Sequence, residues 1–197
     1  MKTATFTFVL VALFVPNLTK AQALETGDFR NLLKLEAGLH GIGLAYDFQV
    51  GSNTRIDLSA GLGGGYHISS SKFSYRWDIG NPVVFAKSHI KRYYNRRKRY
   101  NKGKPLHNNA GNFVGFMLKY TSSTLGQQDF FDVIADGAIQ EAVNFNVHWG
   151  IQRPLGRKFL FHHYIGIGYA RRVGLSTAAI FPALGLKFSY ILGKPGY

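Results

Sequence analysis

Apolar and polar residues alternate along most of the chain, in runs of about ten residues separated by turn signals. The run 139–152 is typical: its odd-numbered positions are apolar except Glu141, and its even-numbered positions are mostly polar or small. Successive side chains of a β-strand point to opposite faces, so this pattern predicts a strand with one apolar and one polar face. Amphipathic helical periodicity is hard to find.

Eight runs of this kind follow one another. The predicted strands are residues 31–39, 41–50, 54–66, 83–95, 112–121, 139–152, 158–171 and 178–192. If 31–50 is instead one kinked strand, 72–79 can supply the eighth. Bacterial single-chain barrels have an even number of antiparallel strands. The predicted fold is therefore all-β, an eight-stranded antiparallel up-and-down transmembrane β-barrel.

The polar faces of these strands combine Gly, Ala, Ser and Asn with isolated charges, whereas the apolar faces are continuous. Small residues suit the interior of a narrow barrel, and charges can pair across its lumen. The alternative is a soluble exported lipocalin-like barrel that binds a small apolar ligand. We expect a plugged lumen with no wide pore, and cross-lumen pairs within this set: Lys34, Glu36, Asp47, Asp57, Lys119 and Lys187.

Aromatic residues near the strand ends are expected to form girdles at the two membrane interfaces. The set is Tyr46, Tyr66, Tyr93, Tyr94, Tyr120, Trp149, Tyr169 and Tyr190. Short turns at 51–53, 96–110 and 153–157 should lie on the periplasmic side, and the longer loops 67–82 and 122–138 outside.

A strongly basic stretch, YYNRRKRYNKGKPLHNN, occupies residues 93–109 and contains no acid. We interpret it as a strand end followed by a turn at the membrane surface. Its cations would contact membrane lipid, either phospholipid or lipopolysaccharide phosphates. These cations are Arg92, Arg96, Arg97, Lys98, Arg99, Lys102 and Lys104. Nucleic acid is not an expected partner, because the chain is expected to be exported, and the sequence does not identify protein partners.

The amino terminus resembles a secretory signal peptide, with Lys2, a short apolar run and the small-residue site Ala21-Gln22-Ala23. We therefore expect residues 1–23 to be cleaved and 24–197 to form one β-barrel domain in the outer membrane. The formal net charge of +14 would fall to +12, since Lys2 and Lys20 are removed. The chain has no cysteine, which excludes disulfides, thiolate metal sites and a cysteine nucleophile.

Two long segments carry a family resemblance: RYYNRRKRYNKGKPLHNNAGNFVGFMLKY, and before it LLKLEAGLHGIGLAYDFQVGSNTRIDLSAGLGGGY. Together they resemble the small outer-membrane β-barrel proteins common in Bacteroidota, Gram-negative bacteria. The resemblance implies an outer-membrane location and no established activity.

Candidate chemistry is sparse. His148 and His162 should both face inward on neighbouring strands, which allows a pair but favours a polar network. A membrane-embedded lipid-modifying enzyme would need a set such as Ser59, His148 and Glu141, yet no spacing marks these residues out. Glycines 61–65 indicate strand packing or curvature rather than a phosphate loop. We expect no catalytic residues, metal or cofactor, and a structural, adhesive or surface-interaction role.

Overall fold

The structure, a computed structural model, describes residues 29–68, 73–77, 82–125 and 139–193. Eight strands form one closed antiparallel barrel in which each strand pairs with its neighbours along the chain, and the first pairs with the last. The barrel strands are β1 (Leu32–Gly38), β2 (Gly41–Gln49), β3 (Thr54–Gly63), β6 (Val83–Tyr93), β7 (Gly111–Thr124), β8 (Ala142–Leu155), β9 (Phe159–Arg172) and β10 (Ala178–Leu192). The prediction of an eight-stranded antiparallel barrel is confirmed. The predicted signal peptide lies outside the described residues.

Some predicted boundaries were wrong. The third barrel strand ends at Gly63, and the chain then forms a separate hairpin from β4 (Gly65–Ile68) and β5 (Phe73–Arg76). The segment 72–79 therefore adds no strand to the barrel. Residues 96–110 contain a short helix, α1 (Arg96–Asn101), and a single 3-10 turn at His107–Asn109. Parts of the predicted outer loops, at 69–72, 78–81 and 126–138, lie outside the described residues.

The two faces of the barrel wall differ sharply in polarity. Large apolar side chains stand exposed on the outer face of all eight strands. Arg92, Arg153 and Arg171 are the charged side chains on that face, each near a strand end. Of the four acids in the described ranges, three point inward and only Glu141 is exposed. The wall is thus apolar outside and charged inside.

Gly43 on β2 and Gly61 on β3 lie opposite each other, and the absence of side chains at both positions lets the two strands approach closely. A Cβ added at Gly61 would lie 2.1 Å from the carbonyl oxygen of Ile42 and 2.5 Å from the Cα of Gly43. Both contacts are with backbone, which cannot rotate away. The predicted role of glycines 61–65 in strand packing thus has a steric basis at Gly61.

Replacing Gly61 with Val should push β2 and β3 apart, because the new side chain collides with the backbone of β2. We expect a loss of about 1–3 kcal/mol in the free energy of unfolding, as for other overpacked sites. Urea titration of the folded barrel would measure it. The matched control is Gly51→Val, where the nearest atom lies 3.6 Å from the added Cβ and φ is not positive. A larger loss in the control would contradict a steric role for Gly61.

Both ends of the barrel are covered. At the end we call the basic end, residues 50–53, 94–110 and 156–158 connect the strands, and α1 belongs to this group. At the opposite end, which we call the hairpin end, the β4–β5 hairpin packs on β7, β9 and β10. No helix in the described ranges is long and apolar enough to cross a membrane.

Candidate functional site: the lumenal charge network

A group of eight ionisable side chains meets inside the lumen. Its centre is Asp57, whose Oδ2 lies 2.7 Å from Lys34 Nζ, 3.0 Å from Lys91 Nζ and 3.7 Å from Lys187 Nζ. Strands β1, β3, β6 and β10 supply these four residues, so the contacts span the barrel. We call the whole group the lumenal charge network: Lys34, Glu36, Asp47, Arg55, Asp57, Lys87, Lys91 and Lys187.

The second carboxylate, Asp47, binds Arg55 tightly. Arg55 Nε donates to Asp47 Oδ1 at 2.5 Å, and Arg55 Nη2 donates to the carbonyl oxygens of Asp47 at 2.8 Å and Arg30 at 2.6 Å. Both side chains are fully buried. The third carboxylate, Glu36, contacts Lys187 and lies 3.4 Å from both Lys34 and Lys87. Buried charges are stable only when paired and hydrogen-bonded, and this arrangement meets that condition for most of the group.

Five of the six predicted lumenal charges meet in this network, and Lys119 does not. Lys119 Nζ is buried and has no carboxylate partner among the described residues. It lies 3.4 Å from the hydroxyl of Tyr66 and 5.0–5.7 Å from the ring centres of Tyr66, Tyr75 and Phe85. Aromatic rings can stabilise a desolvated ammonium in this way.

Sequence reasoning missed Arg55, Lys87 and Lys91. Arg55 is two residues from Asp57 and shares its face, so strict alternation could have identified it. Lys87 and Lys91 lie on β6, where alternation is weak because outward positions include Ala86 and Ser88 while Phe85 points inward. The alternation that identifies inward charges is clear on β3 but weak on β6.

Three buried histidines lie beside the network. His148 Nδ1 is 2.6 Å from the Asn146 side-chain oxygen and must carry a hydrogen to donate there, so His148 Nε2 accepts. His89 Nε2, at 2.8 Å, is then the donor of that pair. His162 faces inward as predicted and stacks 5.5 Å from His89, but the hydrogen-bond partner of His148 is His89. The described residues contain no cluster of three or more His, Asp or Glu that could hold a metal.

The residues of the hypothetical lipid-modifying site are not assembled as a triad. Ser59 and His148 point into the lumen, but Glu141 is on the outside and accepts a hydrogen bond from Tyr120 at 2.6 Å. Glu141 therefore cannot orient His148.

The basic stretch closes its end of the barrel rather than forming a simple turn. Arg96 and Arg99 were predicted to contact lipid phosphates, but both are buried, since helix positions three apart share a face and this face turns toward the protein. Arg96 covers the Phe29 ring at 3.9 Å and donates to the Ala110 carbonyl at 3.2 Å, and Arg99 donates to that of Pro105 at 2.8 Å. Burial lowers the pKa of Arg96 to about 10, so it stays charged at neutral pH. The remaining members of the basic set are exposed: Arg92, Arg97, Lys98, Lys102 and Lys104.

Hydrogen bonds link this cover to the charge network through Gln152, whose Oε1 lies 3.5 Å from Lys91 Nζ. Gln152 Nε2 donates to the carbonyl oxygens of Asn108 at 3.0 Å and Asn109 at 3.3 Å, while its Oε1 accepts from Tyr93 at 3.1 Å. Tyr93 was placed in the aromatic girdle, which is wrong: it is 1% exposed, because it alternates with the outward Arg92 and Tyr94.

The hairpin end is sealed mainly by rings. Phe73 of the hairpin stacks on Phe181 with 4.3 Å between centroids, and Tyr66 packs beside Phe73. Tyr66 was also assigned to the girdle, which is wrong: it is buried, because β4 leaves the barrel wall and folds over the mouth. His40 lies in the β1–β2 turn at this end, and burial together with the charge of Lys119 lowers the pKa of His40 to about 3. Its ring is therefore neutral at neutral pH.

The other six girdle residues lie on the outer face. Tyr94, Trp149, Tyr46 and Tyr120 are exposed, and Tyr169 and Tyr190 are half-buried. Trp149 Nε1 donates to the Tyr94 hydroxyl at 2.6 Å. Tyr46 and Tyr190 lie toward the basic end, whereas Tyr120 and Tyr169 lie toward the hairpin end. Exposed aromatic residues thus occur near both rims.

The comparisons add no relative to this picture. The chain was compared with known protein families, curated proteins and solved structures, and none matched. Any functional assignment therefore depends on the geometry described above.

Proposed function

We propose that the chain is an outer-membrane β-barrel of a Gram-negative bacterium, similar to the small barrels of Bacteroidota. In this proposal it spans the bilayer with its eight strands and has a structural, adhesive or surface-interaction role. The observation that carries the proposal is the polarity of the wall, which is apolar outside on every strand and charged inside. A bilayer is the solvent in which that distribution is stable.

The exposed side chains of individual strands support the membrane proposal. The middle of β9 presents Ile165 and Ile167, which are 52% and 70% exposed, and the adjacent β10 presents Leu184 and Ile180. Soluble monomers rarely expose a continuous apolar surface of more than a few hundred Å². Here the apolar positions encircle the barrel, with aromatic residues near both rims.

A soluble carrier for an apolar ligand, the second candidate, would need the opposite polarity. Its lumen would be lined by apolar groups and its outer face by charges. This lumen instead holds the charge network, and both ends are covered. The same features support a barrel without a wide diffusion pore, since an interior of eight strands is just wide enough for side chains to fill.

Cell fractionation tests the proposal. We expect the protein in the outer-membrane fraction, extracted by detergent but not by high salt, and with gel mobility that changes on boiling. If the basic end faces the periplasm, trypsin should cut the chain at the exposed basic residues of 97–104 only after the outer membrane is opened. Recovery as a detergent-free soluble monomer would refute the membrane proposal, whereas cutting on intact cells would only invert the orientation.

A further inference from the structure

The barrel interior carries more positive than negative charge. The described residues place six cations in it, Lys34, Arg55, Lys87, Lys91, Lys119 and Lys187, and three carboxylates, Glu36, Asp47 and Asp57. The surplus is three positive charges when all six cations are protonated and the buried histidines are neutral. Unbalanced charge is costly where water is scarce, so the lumen favours an additional negative charge.

The surplus is concentrated toward the hairpin end. Lys87 and Lys119 are directly opposite each other on β6 and β7, and both point inward. Like charges in that position destabilise a sheet. Asp47 and Asp57 contact Lys34, Lys91, Arg55 and Lys187, which leaves Lys87 with Glu36 as its carboxylate contact in the described part of the chain.

A small cavity lies beside Lys87 and Lys187. Its volume is about 30 Å³, and its lining includes Lys87, Lys187, Glu36, Phe85, His40 and Tyr164. That volume holds one or two particles the size of water. A halide ion fits such a space, whereas a large polyhydroxy carboxylate such as gluconate does not.

Tyr164 adds a hydrogen-bond donor to the cavity lining. His40 Nε2 lies 3.0 Å from the carbonyl oxygen of Leu184, which can only accept, so this nitrogen carries the hydrogen. The Tyr164 hydroxyl is 3.2 Å from the same nitrogen and cannot donate to it. Its hydrogen is therefore free for another acceptor.

We propose that this cavity is a binding site for a small monovalent anion, with chloride as the physiological ligand. Lys87 and Lys187 supply the charge that exceeds the single charge of Glu36, and Tyr164 supplies a neutral donor. A cation is disfavoured by the same surplus. The site is inside the barrel, so it does not depend on whether the outer face meets lipid.

Thermal unfolding in different sodium salts tests the site. At constant ionic strength, we expect chloride and bromide to raise the unfolding midpoint of the wild-type barrel by about 2–4 °C over gluconate, which is too large for the cavity. Crystals grown in bromide should show an anomalous scattering peak within hydrogen-bond distance of Lys87 or Lys187. Equal midpoints in all three salts together with no bromide peak would overturn the proposal, and would indicate that lysines lose their protons instead.

Two variants and one control locate the effect. Lys87→Met and Lys187→Met should each abolish the difference between chloride and gluconate, while Lys102→Met, an exposed lysine at the basic end, should keep it. If a lumenal variant does not fold, the bromide peak in the wild-type protein still decides the question. A halide effect that persists in both lumenal variants would place the anion elsewhere and refute this site.

Discussion

Replacing Asp57 with Asn is expected to remove most of the stability of the barrel. The substitution keeps the shape of the side chain but removes the charge that Lys34 and Lys91 contact at 2.7 and 3.0 Å. Breaking a buried ion pair on one side costs about 3–5 kcal/mol, because the partner charge stays buried without compensation. Here two ammonium groups lose their closest carboxylate. Urea titration, with the folded form followed by its gel mobility, measures the loss.

Two further variants separate charge from fold disruption. The double variant Asp57→Asn with Lys91→Met removes one charge of each sign and should recover part of the lost stability. Glu141→Gln removes the exposed carboxylate and should change the free energy of unfolding by no more than about 0.5 kcal/mol. If Asp57→Asn were as mild as Glu141→Gln, the network would contribute little to stability.

Replacing Ile165 with Arg should prevent stable insertion if the outer face meets lipid. Ile165 lies at the centre of β9 and is 52% exposed. Arginine near the middle of a bilayer costs about 2–4 kcal/mol in a transmembrane barrel, whereas arginine on a water-exposed strand costs almost nothing. The yield of folded protein in lipid vesicles, and its amount in the outer-membrane fraction, measure the effect.

Leu175→Arg is the matched control for this experiment. Leu175 is 48% exposed, about as much as Ile165, but it lies in the turn between β9 and β10, beyond the barrel wall. We expect normal insertion of this variant. Equal insertion of the two variants would mean that the outer face of β9 does not contact hydrocarbon.

The sequence was sufficient to predict the barrel because alternation is strong on most strands. From Val114 to Tyr120 on β7 and from Val143 to Ile151 on β8, every second residue is apolar and outward, and a shift of one residue would reverse all of them. The same alternation, applied strictly, would also have shown that Tyr93 and Tyr94 cannot both face outward. Tyr93 was wrongly assigned to the girdle because it is an aromatic residue near a strand end, whereas its place in the alternation turns it inward.

Other features depend on tertiary contacts and could not be predicted from local pattern. The helix α1 has six residues, too few to be stable alone, and forms where Arg96 and Arg99 bind carbonyl groups of the segment that follows. The hairpin is likewise determined by the rings it meets, such as Phe181 on β10. The pairing of Lys34 with Asp57 required knowledge of which strands close the barrel.

Members of the charge network are far apart in the sequence, so part of the pairing between them requires the barrel to close. All three carboxylates are on β1, β2 and β3, while Lys87 and Lys91 are on β6 and Lys187 is on β10, 151 residues after Glu36. A partly assembled sheet that lacks the contact between β1 and β10 leaves Lys187 far from Glu36 and Asp57. Such contacts between remote segments form late and slow the search for the native state. Closure of the sheet and the pairing of Lys187 with Glu36 are therefore one cooperative event.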